Sequence, residues 1–329
     1  FGPNIMLFNL IAAAHAGLKN LDQAIENFHK VLEINPQDAV AYFNIGNISK
    51  EKKEYDTEIK NYKKALEIKP DYAESYNNMG SALKAKGDLT AAIDSFKQAL
   101  KIEPNFATAH YNLGIALQET GDTSASIKSY RKACEFKPNY IKAYFNMGNA
   151  LKEQGDLNAA IASYKQSINI KPDYAEAYNN LGIAFCSKGD PSSAIDNYKY
   201  AIEINPSYAE AYLNMGNSLK DLGELNAALD SFRKAIEIKP DYVDAIFNQS
   251  LVYLYKEDFK NGWAQYEWRL KKESLENIPL KSTKPKWHSF KAVRVLLWAE
   301  QGIGDVIMFA STIPDLHACC SKLTVQIDE

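Results

Sequence analysis

Asparagine recurs at Asn44, Asn78, Asn112, Asn146, Asn180, Asn214 and Asn248, always thirty-four residues apart. Each amide carries two N–H donors and an acceptor oxygen. Seven of them in a row would grip the backbone of an extended polypeptide whatever its side chains; the competing reading is that they hydrogen-bond only within the array. A second constellation is Gly302-Ile303-Gly304-Asp305, which follows the apolar run Val293–Ala299. A glycine turn between a buried strand and a helix start is where α/β folds bring backbone N–H groups and the helix dipole to an anionic ligand. The third glycine of a dinucleotide fingerprint is missing, so a plain tight turn, with Asp305 capping the next helix, stays open. Cys134, Cys186, Cys319 and Cys320 form no CxxC and have no histidine at ligand spacing. Neither a metal site nor a disulfide framework is expected, and a reducing, cytoplasmic compartment is.

The elements that must position these residues follow from a repeat. Pro36, Pro70, Pro104, Pro138, Pro172, Pro206 and Pro240 are each thirty-four residues from the last. With that proline as the thirty-second column, units begin at Ile5, Ala39, Ala73, Ala107, Ile141, Ala175, Ala209 and Val243. The eighth column then reads Gly46, Gly80, Gly114, Gly148, Gly182 and Gly216, and the twenty-fourth is Phe or Tyr throughout. Apolar spacing gives two amphipathic helices per unit, A and B. Turns such as Lys86-Gly87-Asp88 end helix A with glycine and open helix B with aspartate, and the proline stops helix B. The small eighth-column residue permits close helix approach, and the aromatic of helix B is expected to fill the gap between units. One helix pair cannot bury its apolar face alone, so neighbours must stack.

On Gly at column eight, Ala at columns twenty and twenty-seven (Ala92 and Ala99, Ala228 and Ala235) and Pro at thirty-two, residues 5–276 resemble the tetratricopeptide repeat (TPR) family. Units 1 and 8 depart from it: Ala12 and Ser250 replace the glycine, and Gly262 and Arg269 replace the two alanines of unit 8. Within helix A, columns two, six, nine and thirteen form a polar stripe facing away from the stack, and the asparagines are its sixth column. An unbroken asparagine row resembles the TPR arm of protein O-GlcNAc transferases, which implies that these residues hold substrate polypeptide. The carboxylate-clamp TPR type, with Lys at column five and Arg at six, is disfavoured by Phe43, Asn77, Tyr111, Phe145, Asn179, Leu213 and Phe247 at column five. His110, in place of a column-four tyrosine, reads as a packed histidine.

All four tryptophans fall after residue 260, where the period dies. Residues 277–290, with two prolines and no period, read as a linker. Residues 291–329 read as strand, glycine turn, apolar helix and second strand, the first βαβ of a truncated lobe. Tyr266-Glu267-Trp268-Arg269, Pro285-Lys286-Trp287 and Leu296 to Asp305 resemble bacterial TPR proteins whose C-terminus is a GT-B, heptosyltransferase-like glycosyltransferase domain. That resemblance implies a sugar-nucleotide donor and places a general base on Asp305, with Gly302 and Gly304 in a phosphate or acceptor loop. Pro314 lies farther along than in heptosyltransferases. The donor lobe falls outside these 329 residues, so catalysis by them alone is not expected. The opening Phe1 and closing Glu329 read as the ends of a piece of a longer protein. So short a βαβ unit cannot bury a sufficient core, and it is expected to dock on the last repeats or to be poorly ordered.

The chain carries 46% hydrophobic and 24% charged residues with a net charge of −3 and no basic stripe, which argues against nucleic acid. No stretch approaches a membrane span. The expectation is an all-α TPR superhelix followed by a truncated βαβ unit, binding an extended peptide or protein. It is either the substrate-recruiting arm of a glycosyltransferase-like protein or a non-catalytic scaffold. Faces of this kind also self-associate, so a homodimer stays open.

Overall fold

The computed structural model describes residues 4–271, 294–298 and 322–326. The chain divides into two compact units, Phe1–Ile238 and Lys239–Glu329. The first holds seven helix pairs: α1 (Ile5–Gly17) and α2 (Leu21–Ile34), α3 (Ala39–Glu51) and α4 (Tyr55–Ile68), α5 (Ala73–Ala85) and α6 (Leu89–Ile102), α7 (Ala107–Glu119) and α8 (Thr123–Phe136), α9 (Ile141–Gln154) and α10 (Leu157–Ile170), α11 (Ala175–Ser187) and α12 (Pro191–Ile204), α13 (Ala209–Asp221) and α14 (Leu225–Ile238). Odd-numbered helices are the A helices of the repeat and even-numbered ones the B helices.

Their boundaries are written in the turn chemistry. Asp88, Asp122, Asp156 and Asp190 each accept the backbone N–H three residues on, capping helix B. Column fifteen lies in the left-handed region in every unit. Gly155, for example, has φ 89°, whereas Lys19, Lys53 and Glu257 hold the same conformation without being glycine. The residues before Pro36, Pro70, Pro104, Pro138, Pro172 and Pro206 leave the helical conformation, as Lys69 does at φ −126°, because proline's ring excludes it there.

The core runs along the inside of the stack. Tyr62, Phe96, Tyr130, Tyr164 and Phe232 are completely buried. Each ring lies on the column-eight glycine of its own unit: a Cβ on Gly148 would stand 2.6 Å from Tyr164 Cε1. The aromatic therefore fills a notch within its unit, where the sequence suggested the gap between units. Both readings need a small residue, but only the first explains why that residue tracks its own unit's ring.

The second compact unit contains α15 (Val243–Tyr255), α16 (Phe259–Tyr266), a 3-10 turn over Glu267–Lys271, and the strands β1 (Arg294–Trp298) and β2 (Lys322–Gln326). Helix α16 has 8 residues against 14 for α14, which is where the repeat loses its alanines. The strands pair in parallel, with Arg294 opposite Lys322 and Trp298 opposite Gln326. The linker expected at 277–290, the glycine turn with Gly302, Gly304 and Asp305, and the docking or disorder of that segment lie outside the described residues. No described helix is long and apolar enough to cross a membrane. No cluster of His, Cys, Asp or Glu among the described residues could hold a metal ion.

Candidate polypeptide-binding face

Within the first compact unit, A helices from α3 to α13 approach the A helix of the next repeat, while no two B helices approach as closely. The line between successive A helices is where the column-six asparagines sit, each half-buried.

Their geometry is more specific than a row of free amides. Asn78 Nδ2 donates to Asn47 Oδ1 at 3.0 Å, Asn112 Nδ2 to Asn77 Oδ1 at 2.9 Å, and Asn146 Nδ2 to the Tyr111 hydroxyl at 3.2 Å. Asn180 Nδ2 donates to Asn149 Oδ1 at 2.9 Å and Asn214 Nδ2 to Asn179 Oδ1 at 3.0 Å. Each bond joins one repeat to the preceding one. The acceptor is the column-five side chain where that is Asn or Tyr (Asn77, Tyr111, Asn179). Where column five is phenylalanine, as at Phe43 and Phe145, the acceptor moves one turn on to column nine, Asn47 and Asn149. Asn44 is the exception: column five of the first repeat is Asn9, yet no such bond joins the two among the described residues.

Two of these chains of amides are copies of each other, three repeats apart. In the first, Asn112 donates to Asn77, Asn77 to Asn78 and Asn78 to Asn47, which also accepts from the Tyr62 hydroxyl at 2.8 Å. In the second, Asn214, Asn179, Asn180, Asn149 and the Tyr164 hydroxyl repeat the arrangement. Burial pushes both tyrosine hydroxyls well above their ordinary range, so they stay protonated and donate.

The asparagines thus donate to the neighbouring repeat, Asn112 reaching Ser81 Oγ at 3.5 Å as well as Asn77, and that bonding fixes the amide plane. The carbonyl oxygens of Asn112 and Asn214 accept nothing within the described residues and are not among its buried orphan atoms. Sequence reasoning found column six and placed column nine on the same polar stripe; in the second to sixth repeats column nine supplies the acceptor where column five cannot. Asn248 lies half-buried on α15 of the second compact unit.

Other polar residues have structural partners. His110 Nε2 lies 2.9 Å from the Pro104 carbonyl, and its ring stacks on Phe136. Cys134 is buried, which pushes its thiol up to about 12 and leaves it unreactive.

Family comparison agrees with the repeat. TPR repeat sequences match residues 46–87, 80–121, 119–155, 148–189 and 182–223, and tetratricopeptide repeat sequences match 209–242 and 7–38. The chain is similar to the crystal structure of YrrB, described as a TPR protein with an unusual peptide-binding site. The two share 27% identity over 56% of this chain and 95% of that one, with a TM-score of 0.51. It is also similar to the C-terminal part of a TPR repeat-containing protein from Cytophaga hutchinsonii, at 16% identity over 70% and 95% of the two chains and a TM-score of 0.60. The latter is a likeness of fold. No curated protein matches the chain in sequence.

Proposed function

The chain belongs to the tetratricopeptide repeat family, and from that premise we propose that its A helices present a groove for an extended polypeptide. Asn78, Asn112, Asn146, Asn180 and Asn214 hold the bound backbone, and Asn44 and Asn248 occupy the same column. One observation carries this reading: each of the five bonded amides is oriented by a hydrogen bond to the preceding repeat, and Asn180 and Asn214 keep a second N–H that donates to nothing among the described residues. A donor already held in place loses little freedom on binding. YrrB, by its description a peptide binder, supports the class of ligand.

The test uses random twelve-residue peptides displayed on phage and selected on the chain. Asn112→Ala with Asn146→Ala is expected to weaken the recovered peptides' binding tenfold or more in fluorescence anisotropy, while costing only about 1–3 kcal/mol of stability for the three hydrogen bonds lost. Unchanged affinity in a destabilised variant would make the amides purely structural.

For the whole protein the favoured reading is the substrate-recruiting arm of a glycosyltransferase-like protein similar to O-GlcNAc transferase. Its support is the string from Leu296 to Asp305 and the parallel pairing of β1 with β2, which needs a crossover connection. Asp305 would then act as general base and a sugar nucleotide as donor. Transfer from UDP-N-acetylglucosamine to a co-incubated protein, lost in Asp305→Asn, is the expected outcome; a donor neither bound nor consumed favours the scaffold. The unpaired thiols of Cys134 and Cys186 suit a reducing compartment such as the cytoplasm.

A further inference from the structure

Beside the asparagine line runs a second line of contacts between successive A helices, from column twelve of one repeat to column thirteen of the next. Lys84 Nζ pairs with Glu119 at 2.9 Å, and Gln118 Nε2 reaches Glu153 at 3.4 Å. Both partners lie thirty-five residues on. For Lys152 the corresponding residue is Ser187, which offers no charge. Lys152 is half-buried, and its ammonium makes no hydrogen bond or ion pair within the described residues.

Lys152 stands on α9 three residues after Asn149, one helical turn beyond the Asn149–Asn180 bond. On that helix Asn149 is one turn from Asn146, and Lys152 is one turn from Asn149, at the edge of the asparagine face. Burial holds the Lys152 ammonium below the ordinary lysine range, against the pull of Glu210. The Glu210 carboxylate lies beyond ion-pair distance of Lys152 and is approached instead by Asn179 Nδ2 at 3.4 Å. A half-desolvated ammonium without a partner is costly, and a carboxylate brought by a ligand relieves that cost.

We infer that Lys152 is a charge-reading position in the groove, taking an acidic side chain of the bound polypeptide next to the point where Asn146 and Asn180 hold its backbone. The inference rests on the polypeptide-binding reading and gives it a specificity. A peptide lysine or arginine at that place meets a like charge and is refused.

The experiment is the same phage selection, run in parallel on the wild-type chain, on Lys152→Met and on Lys97→Met, an exposed lysine of α6 that serves as control. Wild type and Lys97→Met are expected to enrich Asp or Glu at one peptide position, and Lys152→Met is expected to select peptides without that preference. For a recovered peptide, changing its acidic residue to the amide should weaken binding to wild type roughly tenfold, the scale of one charge-assisted contact, and leave binding to Lys152→Met unaltered. Lys152→Arg should keep the preference. Peptides recovered on wild type with no acidic position, or an acidic position that matters equally in Lys152→Met, overturn the inference while leaving the groove intact. Failure to recover any peptide on wild type overturns the groove itself, and this inference with it.

Discussion

Asn180 donates to Asn149 Oδ1 at 2.9 Å across the junction of α11 with α9, and the Tyr164 hydroxyl donates to the same oxygen at 2.7 Å. One column-nine carbonyl therefore ties three helices, because the column-five residue beneath it, Phe145, has no atom to accept with. Asn149→Ile is expected to lower stability by about 1–3 kcal/mol, since it strips two part-buried donors of their partner. Adding Phe145→Tyr creates the pairing found in the fourth repeat, where Tyr111 accepts from Asn146 and Ile115 occupies column nine. The double variant should recover about half of the loss in a denaturant titration. A double variant as unstable as the sum of the two changes would mean that columns five and nine are independent.

The glycine at column eight makes a sharper claim about packing. A Cβ on Gly148 would stand 2.6–2.9 Å from three atoms of the Tyr164 ring, a ring that is completely buried. Gly148→Ala should cost about 1–3 kcal/mol by overpacking. Unit 1 already carries Ala12 with Phe28 in the same two columns, both buried, so the notch can widen when the ring shifts. Gly148→Ala with Tyr164→Phe, which frees the ring from its bond to Asn149, is the check: partial recovery of the unfolding midpoint locates the cost at the ring.

Much of this was legible in the chain because the repeat makes every column its own control. Proline at thirty-two, glycine at fifteen and aspartate at sixteen each impose a backbone conformation or a cap, so the helix ends could be placed from them. The asparagine column could be found by the same means, but its hydrogen bonds could not. They depend on which side chain lies thirty-one or thirty-five residues back, and a search by single columns treats Asn149, Ile115 and Ile183 as free variation. Pairing columns five and nine would have exposed the rule, since Phe43 with Asn47 recurs as Phe145 with Asn149, while Tyr111 and Asn179 accompany isoleucine. The seat of Tyr164 within its own unit was likewise hidden, because a period gives spacing along the chain and not which neighbour a ring faces.

Column fifteen offers a stabilising substitution at Lys53. Its φ is 59°, the conformation that Gly87 and Gly155 adopt in other repeats without a Cβ to clash. Lys53→Gly should therefore stabilise the second repeat by about 0.5–1 kcal/mol, net of the added freedom of the unfolded chain. Hydrogen exchange of amides in α3 and α4 would register it as slower opening; faster exchange there would show that the lysine side chain contributes more than its backbone strain costs.

The second repeat also holds a charge where every other repeat has a small residue. Glu58 occupies column twenty, alanine in five of the eight units. It is 1% exposed, and neither carboxylate oxygen has a partner. Ser49, at column eleven where Leu83, Leu117 and Leu151 stand in later repeats, is equally buried, and its hydroxyl is equally unpartnered. In the fifth repeat the corresponding residues, Leu151 and Ala160, share one core cluster, so in the second repeat a large-small pair has become a small-large polar one. Burial pushes the Glu58 carboxyl from 4.5 up to about 7, with Lys50 on α3 pulling the other way; Tyr62, one turn on along α4, stays neutral and feels its charge. A folded carboxyl that holds its proton more tightly than the unfolded one favours folding at low pH. The stabilisation is complete below about 4.5, falls as pH rises toward 7 and is gone above it, a span of about 3 kcal/mol for a shift of this size. Wild-type stability should therefore drop between pH 5 and 8, measured by urea titration at fixed ionic strength. Glu58→Gln should flatten the profile, and Ser49→Leu with Glu58→Ala, the pairing of the fifth repeat, should be the most stable at pH 8. A profile that Glu58→Gln leaves unchanged would mean that the carboxylate reaches water or Lys50 at no cost.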